Sequence, residues 1–169
     1  MNVLFQSKRL LFRQFTGDDA GLIYELNSDP EVIRYVHEKP ATPATAVQLI
    51  GNVILPQYML GLGRWAVHLK YTAEFIGWCG LKYLAESDEV DLGFRFKKAF
   101  WGRGYATEAA STCIQYGFAH LNIRTIVARA HVDNAASLNV IEKCGMQFLG
   151  EEMVDGTPVK TYQLVNPSM

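Results

Sequence analysis

From Arg64 onward the chain switches to a period of two. Three runs, Arg64–Lys70, Glu74–Leu84 and Glu89–Phe96, are rich in aromatic and β-branched residues and are separated by turn-like Tyr71-Thr72-Ala73 and Ala85–Asp88, a pattern that predicts an antiparallel meander. Tyr105–Leu121 follows a different rhythm. Ala106, Ala109, Ala110, Cys113, Ile114, Gly117, Phe118 and Leu121 recur at i, i+3, i+4, i+7 spacing, which predicts a helix whose small apolar face can lie on a sheet.

Upstream, Lys8–Phe15 reads as a first strand. Thr16-Gly17-Asp18-Asp19 has the Thr-x-x-acid form of a helix start, with Leu22, Ile23 and Leu26 following at helical spacing. Thr42-Pro43 opens another helix that runs until Pro56 or Gly61 interferes. Downstream, Thr125–Val132 is a strand and Ala135–Cys144 a helix closed by Gly145. Asp155-Gly156 joins two last strands as a hairpin. The later half therefore runs β-α-β-α-β-β. No repeat, low-complexity tract or Gly/Ser/Pro-rich linker divides residues 1–169, so a single domain is expected.

Composition narrows the function classes. With 49% hydrophobic, 12% aromatic and 20% charged residues, the chain has the makings of a real core. Sixteen Lys and Arg stand against 17 Asp and Glu, so there is no basic field for nucleic-acid binding, and any anion must be held locally. Apolar stretches such as Val53–Leu55 fall far short of the ~18 residues that span a bilayer. The N-terminal charges follow the apolar residues, the wrong order for a secretory signal; the expectation is a cytoplasmic protein without membrane association. Cys79, Cys113 and Cys144 are odd in number and form no Cys-x-x-Cys pair, so they read as buried small hydrophobes. No His-x-x-x-His pair or carboxylate cluster suggests a metal.

The chemistry is expected in the segment Val90–Phe96 followed by Trp101-Gly102-Arg103-Gly104-Tyr105-Ala106-Thr107-Glu108-Ala109, a glycine-rich turn between a strand and a long helix. The first amides of a helix lack intrahelical partners, and its dipole places about half a positive charge there; glycines let the backbone close around an anion such as a diphosphate.

With its surroundings, this segment resembles the acetyl-CoA-binding signature of the GNAT N-acetyltransferase superfamily, (Gln/Arg)-x-x-Gly-x-(Gly/Ala). Gly104 and Ala106 occupy the two small positions. Trp101 replaces the general Gln or Arg, but Trp-Gly-x-Gly-Tyr-Ala-Thr-Glu-Ala is similar to the ribosomal-protein acetyltransferase (RimJ/RimL-like) branch. Asn134-Ala135-Ala136-Ser137 through Glu142-Lys143-Cys144-Gly145-Met146 is similar to that branch's Asn-x-x-Ser…Glu-Lys-x-Gly-Phe block, with Met146 for Phe and Asn139 where a basic residue is common.

The resemblance implies a mixed α/β (α+β) GNAT fold. Its central twisted, mostly antiparallel sheet of about seven strands would be split at the acetyl-CoA site and flanked by about four helices, with the N-terminal helices beside the acceptor pocket. It also implies acetyl transfer from acetyl-CoA, as co-substrate, to a primary amine. Backbone groups near Phe94 and Phe96 would pair with the pantetheine arm. Gly102, Arg103, Gly104, Tyr105, Ala106 and Thr107 would hold the pyrophosphate, and Asn134 and Ser137 would complete the cofactor site. Ser137 is the candidate general acid and Asp91 the candidate base, with His68 and His131 as further base candidates. Glu108 would repel phosphate and is expected to be structural.

The acceptor, shaped by residues 27 to 45, is expected to be a protein N-terminal α-amine. A polyamine, an antibiotic or a metabolite amine is the alternative, and a non-catalytic acyl-CoA sensor is a different class altogether. The protein would act as a monomer or homodimer. A dinucleotide-binding reading fails because Thr107 stands where a third glycine is needed and Asn122-Ile123-Arg124 where an acidic residue is needed.

Overall fold

A computed structural model describes residues 1–169. Eight strands form one sheet in the order β1-β2-β3-β4-β5-β6-β8-β7: β1 Phe5–Gln6, β2 Leu10–Gln14, β3 Gly63–Leu69, β4 Phe75–Leu84, β5 Glu89–Phe96, β6 Thr125–His131, β7 Gln147–Val154 and β8 Thr157–Val165. The helices are α1 Ala20–Asn27, α2 Pro43–Leu49, α3 Leu55–Tyr58, α4 Tyr105–His120 and α5 Ala135–Lys143. A π turn at Ile50–Ile54 joins α2 to α3, so these two are one continuous run and the fold has four helical bodies. The fold is the expected α+β arrangement around a mostly antiparallel sheet, with one strand more than the seven expected. The addition is β1, a two-residue strand that folds back on β2 across Ser7-Lys8-Arg9, too short to leave a periodic signal.

Local sequence accounts for most boundaries. Thr16 and Asp19 form a reciprocal capping box, as do Thr42 and Thr45, which satisfies otherwise orphaned amides. Pro56 has no N–H to give, and the π turn just before it absorbs the lost register. Gly145 follows α5 at φ +80, the left-handed stop expected there. Asp155 and Gly156 both have positive φ, 49 and 78, the type I′ geometry that matches strand twist in a two-residue hairpin.

Alternation along the strands divides the core between the two faces of the sheet. Phe12, Trp65, Val67, Cys79, Leu81 and Leu92 pack with Ala109, Ala110, Cys113 and Ile114 of α4. Gly117 lets that helix approach closely, since a Cβ there would lie 2.6 Å from Leu81 Cδ1. On the opposite face Phe15, Ala66, Phe75 and Trp78 pack with Ile23 and Leu26 of α1 and with Ala46, Ile50 and Ile54. Both faces are thus covered where β3, β4 and β5 meet, and β5 is held firmly on one side.

Candidate active site

The sheet opens between β5 and β6. These two strands pair in parallel only through Val90↔Ile126, Asp91↔Val127 and Leu92↔Ala128. Beyond that, β5 stays with β4 to Gly77↔Phe96 while β6 stays with β8 to His131↔Val159, so the strands diverge. Lys97 N–H donates to Ile76 C=O at 2.9 Å; by the alternation of an antiparallel ladder, Phe94 and Phe96 direct their backbone groups away from β4, into the gap. A cavity of about 990 Å³ fills the wedge. Its walls include the N-termini of α4 and α5 and the loop between α1 and α2, residues 31–38, within the segment expected to shape the acceptor site.

The loop before α4 presents a row of free donors. Amides 102 through 107 make no hydrogen bond within the protein; the first helical bond here is Glu108 N–H to Gly104 C=O, 3.1 Å. Gly102 and Gly104 have φ of +74 and +80, a left-handed conformation that glycine adopts without strain. Gly102, Gly104, Tyr105, Ala106 and Thr107 all line the cavity. Arg103 does not: its guanidinium lies 5.8 Å from the Phe100 ring.

Two residues overlooked in the sequence shape this loop. Arg9, on the turn before β2, donates from Nη1 to Arg103 C=O at 3.1 Å and stacks 4.3 Å over the Tyr105 ring. Its Nε meets Glu108 Oε2 at 2.6 Å, and Ser7 Oγ and Arg9 N–H donate to Glu108 Oε1 at 2.7 and 2.8 Å. Burial alone would raise the Glu108 carboxyl, but these donors and the Arg9 charge outweigh it and hold the group below its usual range. Glu108 is therefore structural, as expected, and its charge is matched by Arg9. Trp101, the departure from the general signature, donates its indole N–H to Phe96 C=O at 2.8 Å. The Phe96 carbonyl thus accepts one hydrogen bond within the protein, whereas both gap-facing groups of Phe94 are free.

At the other helix, Asn134 Oδ1 accepts Ser137 N–H at 3.2 Å and caps α5, which leaves its side-chain amide N–H₂ for any ligand. Ser137 is half-buried, lines the cavity, and its hydroxyl makes no hydrogen bond within the protein. His131 also lines the cavity. His68 does not; its Nε2 accepts from Arg13 Nε at 3.0 Å and its Nδ1 lies 2.8 Å from Ala73 C=O. Burial holds that ring below the usual imidazole value, so His68 is a neutral structural residue.

Asp91 stands at the point where β5 and β6 part. It is half-buried and lines the cavity, and its carboxylate makes no hydrogen bond. Burial pushes its pKa up to about 7 against the opposing pull of Arg129, Arg64 and Lys82. Desolvation wins because Arg129 is already bound to Glu89 and Glu152, at 3.0 and 2.6 Å, and no cation reaches ion-pair distance. A carboxyl poised near neutral pH in a cleft is suited to accept a proton.

Residues 9–147 match the acetyltransferase (GNAT) domain family. The chain belongs to the GNAT acetyltransferases. This acetyltransferase is 32% identical to the uncharacterised N-acetyltransferase YoaA of Bacillus subtilis over 97% of both chains. Among solved structures, it is similar to the ribosomal-protein α-N-acetyltransferase RimL in complex with coenzyme A, with a TM-score of 0.83 at 15% identity over 99% of this chain and 100% of that one. It is also similar to the spermidine N-acetyltransferase of Vibrio cholerae in complex with CoA and spermine, with a TM-score of 0.79 at 20% identity over 95% and 97%. A GNAT acetyltransferase is an acetyl-CoA-dependent acyltransferase. Its co-substrate's diphosphate needs a cradle of donors, and six unpartnered amides at the positive end of a 16-residue helix fit that need. No helix is long and apolar enough to cross a membrane.

Proposed function

We propose that the protein acetylates a protein N-terminal α-amino group by direct attack within a ternary complex, with Asp91 as general base and Ser137 as general acid. The observation that carries this reading is the Asp91 carboxyl, raised to about 7 in the cleft. An amine attacks only when neutral. An α-amine, at ~8, lies about one unit above such a base, whereas a lysine ε-amine at ~10.4 lies more than three units above it. The unpaired charges around Asp91 point the same way: Arg64 and Lys82 disfavour a polycationic acceptor beside it.

The remaining roles follow from placement. When bound, acetyl-CoA supplies an activated thioester. Amides 102 to 107 hold its diphosphate, Arg9 offsets Glu108 beside them, and the free groups of Phe94 align the pantetheine arm along β5. The Phe94 N–H polarises the thioester carbonyl. Asp91 takes the proton from the incoming amine, directly or through one water, and Ser137 Oγ donates to the departing sulfur. The test uses one peptide in two forms, one with a free N-terminus and no lysine, the other with a blocked N-terminus and one lysine. The proposal expects thiol release at pH 7.5 to favour the free α-amine by at least tenfold; equal rates or a lysine preference would reject it.

A further inference from the structure

Three guanidiniums face the cavity from neighbouring strands, and two are accounted for. Arg95 of β5 is held by Asn27 Oδ1 at 2.8 Å and by Glu38 at 3.0 and 3.3 Å. Arg129 of β6 is held by Glu89 and Glu152. Arg64 of β3 lines the same cavity, is half-buried, and its guanidinium makes no hydrogen bond or ion pair within the protein.

The fold fixes that free guanidinium on the cavity wall. Arg64 lies 4.4 Å over the Trp78 ring, and Arg95 approaches the same ring at 5.7 Å. Trp78 lies across Gly93, where an added Cβ would come within 3.2 Å of the indole; any larger residue at 93 would lift the ring and Arg64 with it. In register, Arg64 pairs with Gly80 and Gly80 with Gly93. Asp91, two residues before Gly93, therefore projects from the same face. That face is opposite the one that carries α4, so Arg64 does not serve the phosphate loop. Glu38 and Asp91 act on Arg64 only from beyond ion-pair distance, so a partly desolvated cation beside a second one still gains from an anion in direct contact, and a guanidinium presents a planar fork matched to carboxylate.

We infer that Arg64 binds a carboxylate of the acceptor, so that the preferred substrate carries a negative group near its reacting α-amine, with Asp91 meeting the nitrogen and Arg64 the acid. The inference deepens the α-amine reading and rests on it. The carboxylate has two sources: an Asp or Glu side chain at a peptide N-terminus, or the main-chain carboxylate of a free amino acid.

The experiment compares kcat/KM for peptides beginning Glu against Gln, and for free glutamine against its α-amide, in wild type, Arg64→Met and Arg64→Lys. In the wild type one of the two pairs shows an advantage for the acid of about 10- to 100-fold, the range of a charge-assisted pair. The first pair identifies an N-terminal acidic residue and the second a free amino acid. Arg64→Met erases the advantage, Arg64→Lys retains part of it, and an unchanged melting shift with acetyl-CoA shows that both variants are folded. Equal turnover of acid and amide in both pairs, or an advantage that survives Arg64→Met, overturns the inference while leaving α-amine acetylation standing. Failure to acetylate any α-amine, charged or neutral, overturns both.

Discussion

Asp91→Asn is expected to make the protein more stable and nearly inactive. Burial raises the carboxyl from the ordinary ~3.9 to about 7, so the folded state binds its proton more tightly than the unfolded chain. The stability associated with that proton is complete below about pH 4 and is lost progressively as pH rises through 7. Some three pH units at 1.36 kcal/mol each make the ionised carboxylate a liability of about 4 kcal/mol above pH 7. Asparagine resembles the protonated form in shape and lack of charge, and Asp91 has no hydrogen bond to lose. At pH 8 the variant should melt about 8 to 16 °C higher, taking 2–4 °C per kcal/mol for a chain of this size. The gain should shrink by about 1.4 kcal/mol for each pH unit below 7. Thermal melts of both proteins without ligand, at pH 8 and pH 5, measure this directly. A variant no more stable at pH 8, or a gain of equal size at pH 5, would refute the buried-carboxylate argument.

Three other outcomes follow from the cleft. Arg9→Ala leaves the Glu108 charge uncompensated beside the phosphate loop; calorimetry should show acetyl-CoA affinity reduced about tenfold or more, with kcat at saturation little changed. Ser137→Ala should bind acetyl-CoA as the wild type does yet turn over about 10²-fold or more slowly, and equal turnover would remove Ser137 from the mechanism. Gly104→Glu forces a side chain into the left-handed position at φ +80 and adds negative charge to the cradle. It should abolish the melting shift of roughly 5 to 10 °C expected with acetyl-CoA at about 100 times its dissociation constant.

Elements with strong local signals were legible along the chain, and contacts between distant segments were not. The period-two runs correspond to β3, β4 and β5 within a residue or so, and the small-residue stripe corresponds to α4, because both patterns are written by neighbours in sequence. The phosphate loop was recognisable from its glycines. Arg9 was not, since its partner Glu108 is 99 positions away and nothing near Arg9 sets it apart from any surface arginine. Trp101 looked like a departure from the signature, and only the splayed end of β5 shows that its indole caps Phe96 C=O. The value of Asp91 as a base depends on desolvation, which no motif encodes. Arg64 became informative only when the contacts showed the other two strand arginines of the cavity, Arg95 and Arg129, held in ion pairs and Arg64 without one.

The most direct measurement of the whole account is acetylation of a peptide library with varied N-terminal residues, read by CoA thiol release and by mass-spectrometric mapping of the modified nitrogen. The account predicts release that depends on the peptide, with the acetyl group on the α-nitrogen. Release at the hydrolysis background for every peptide, while acetyl-CoA still raises the melting temperature, would contradict it.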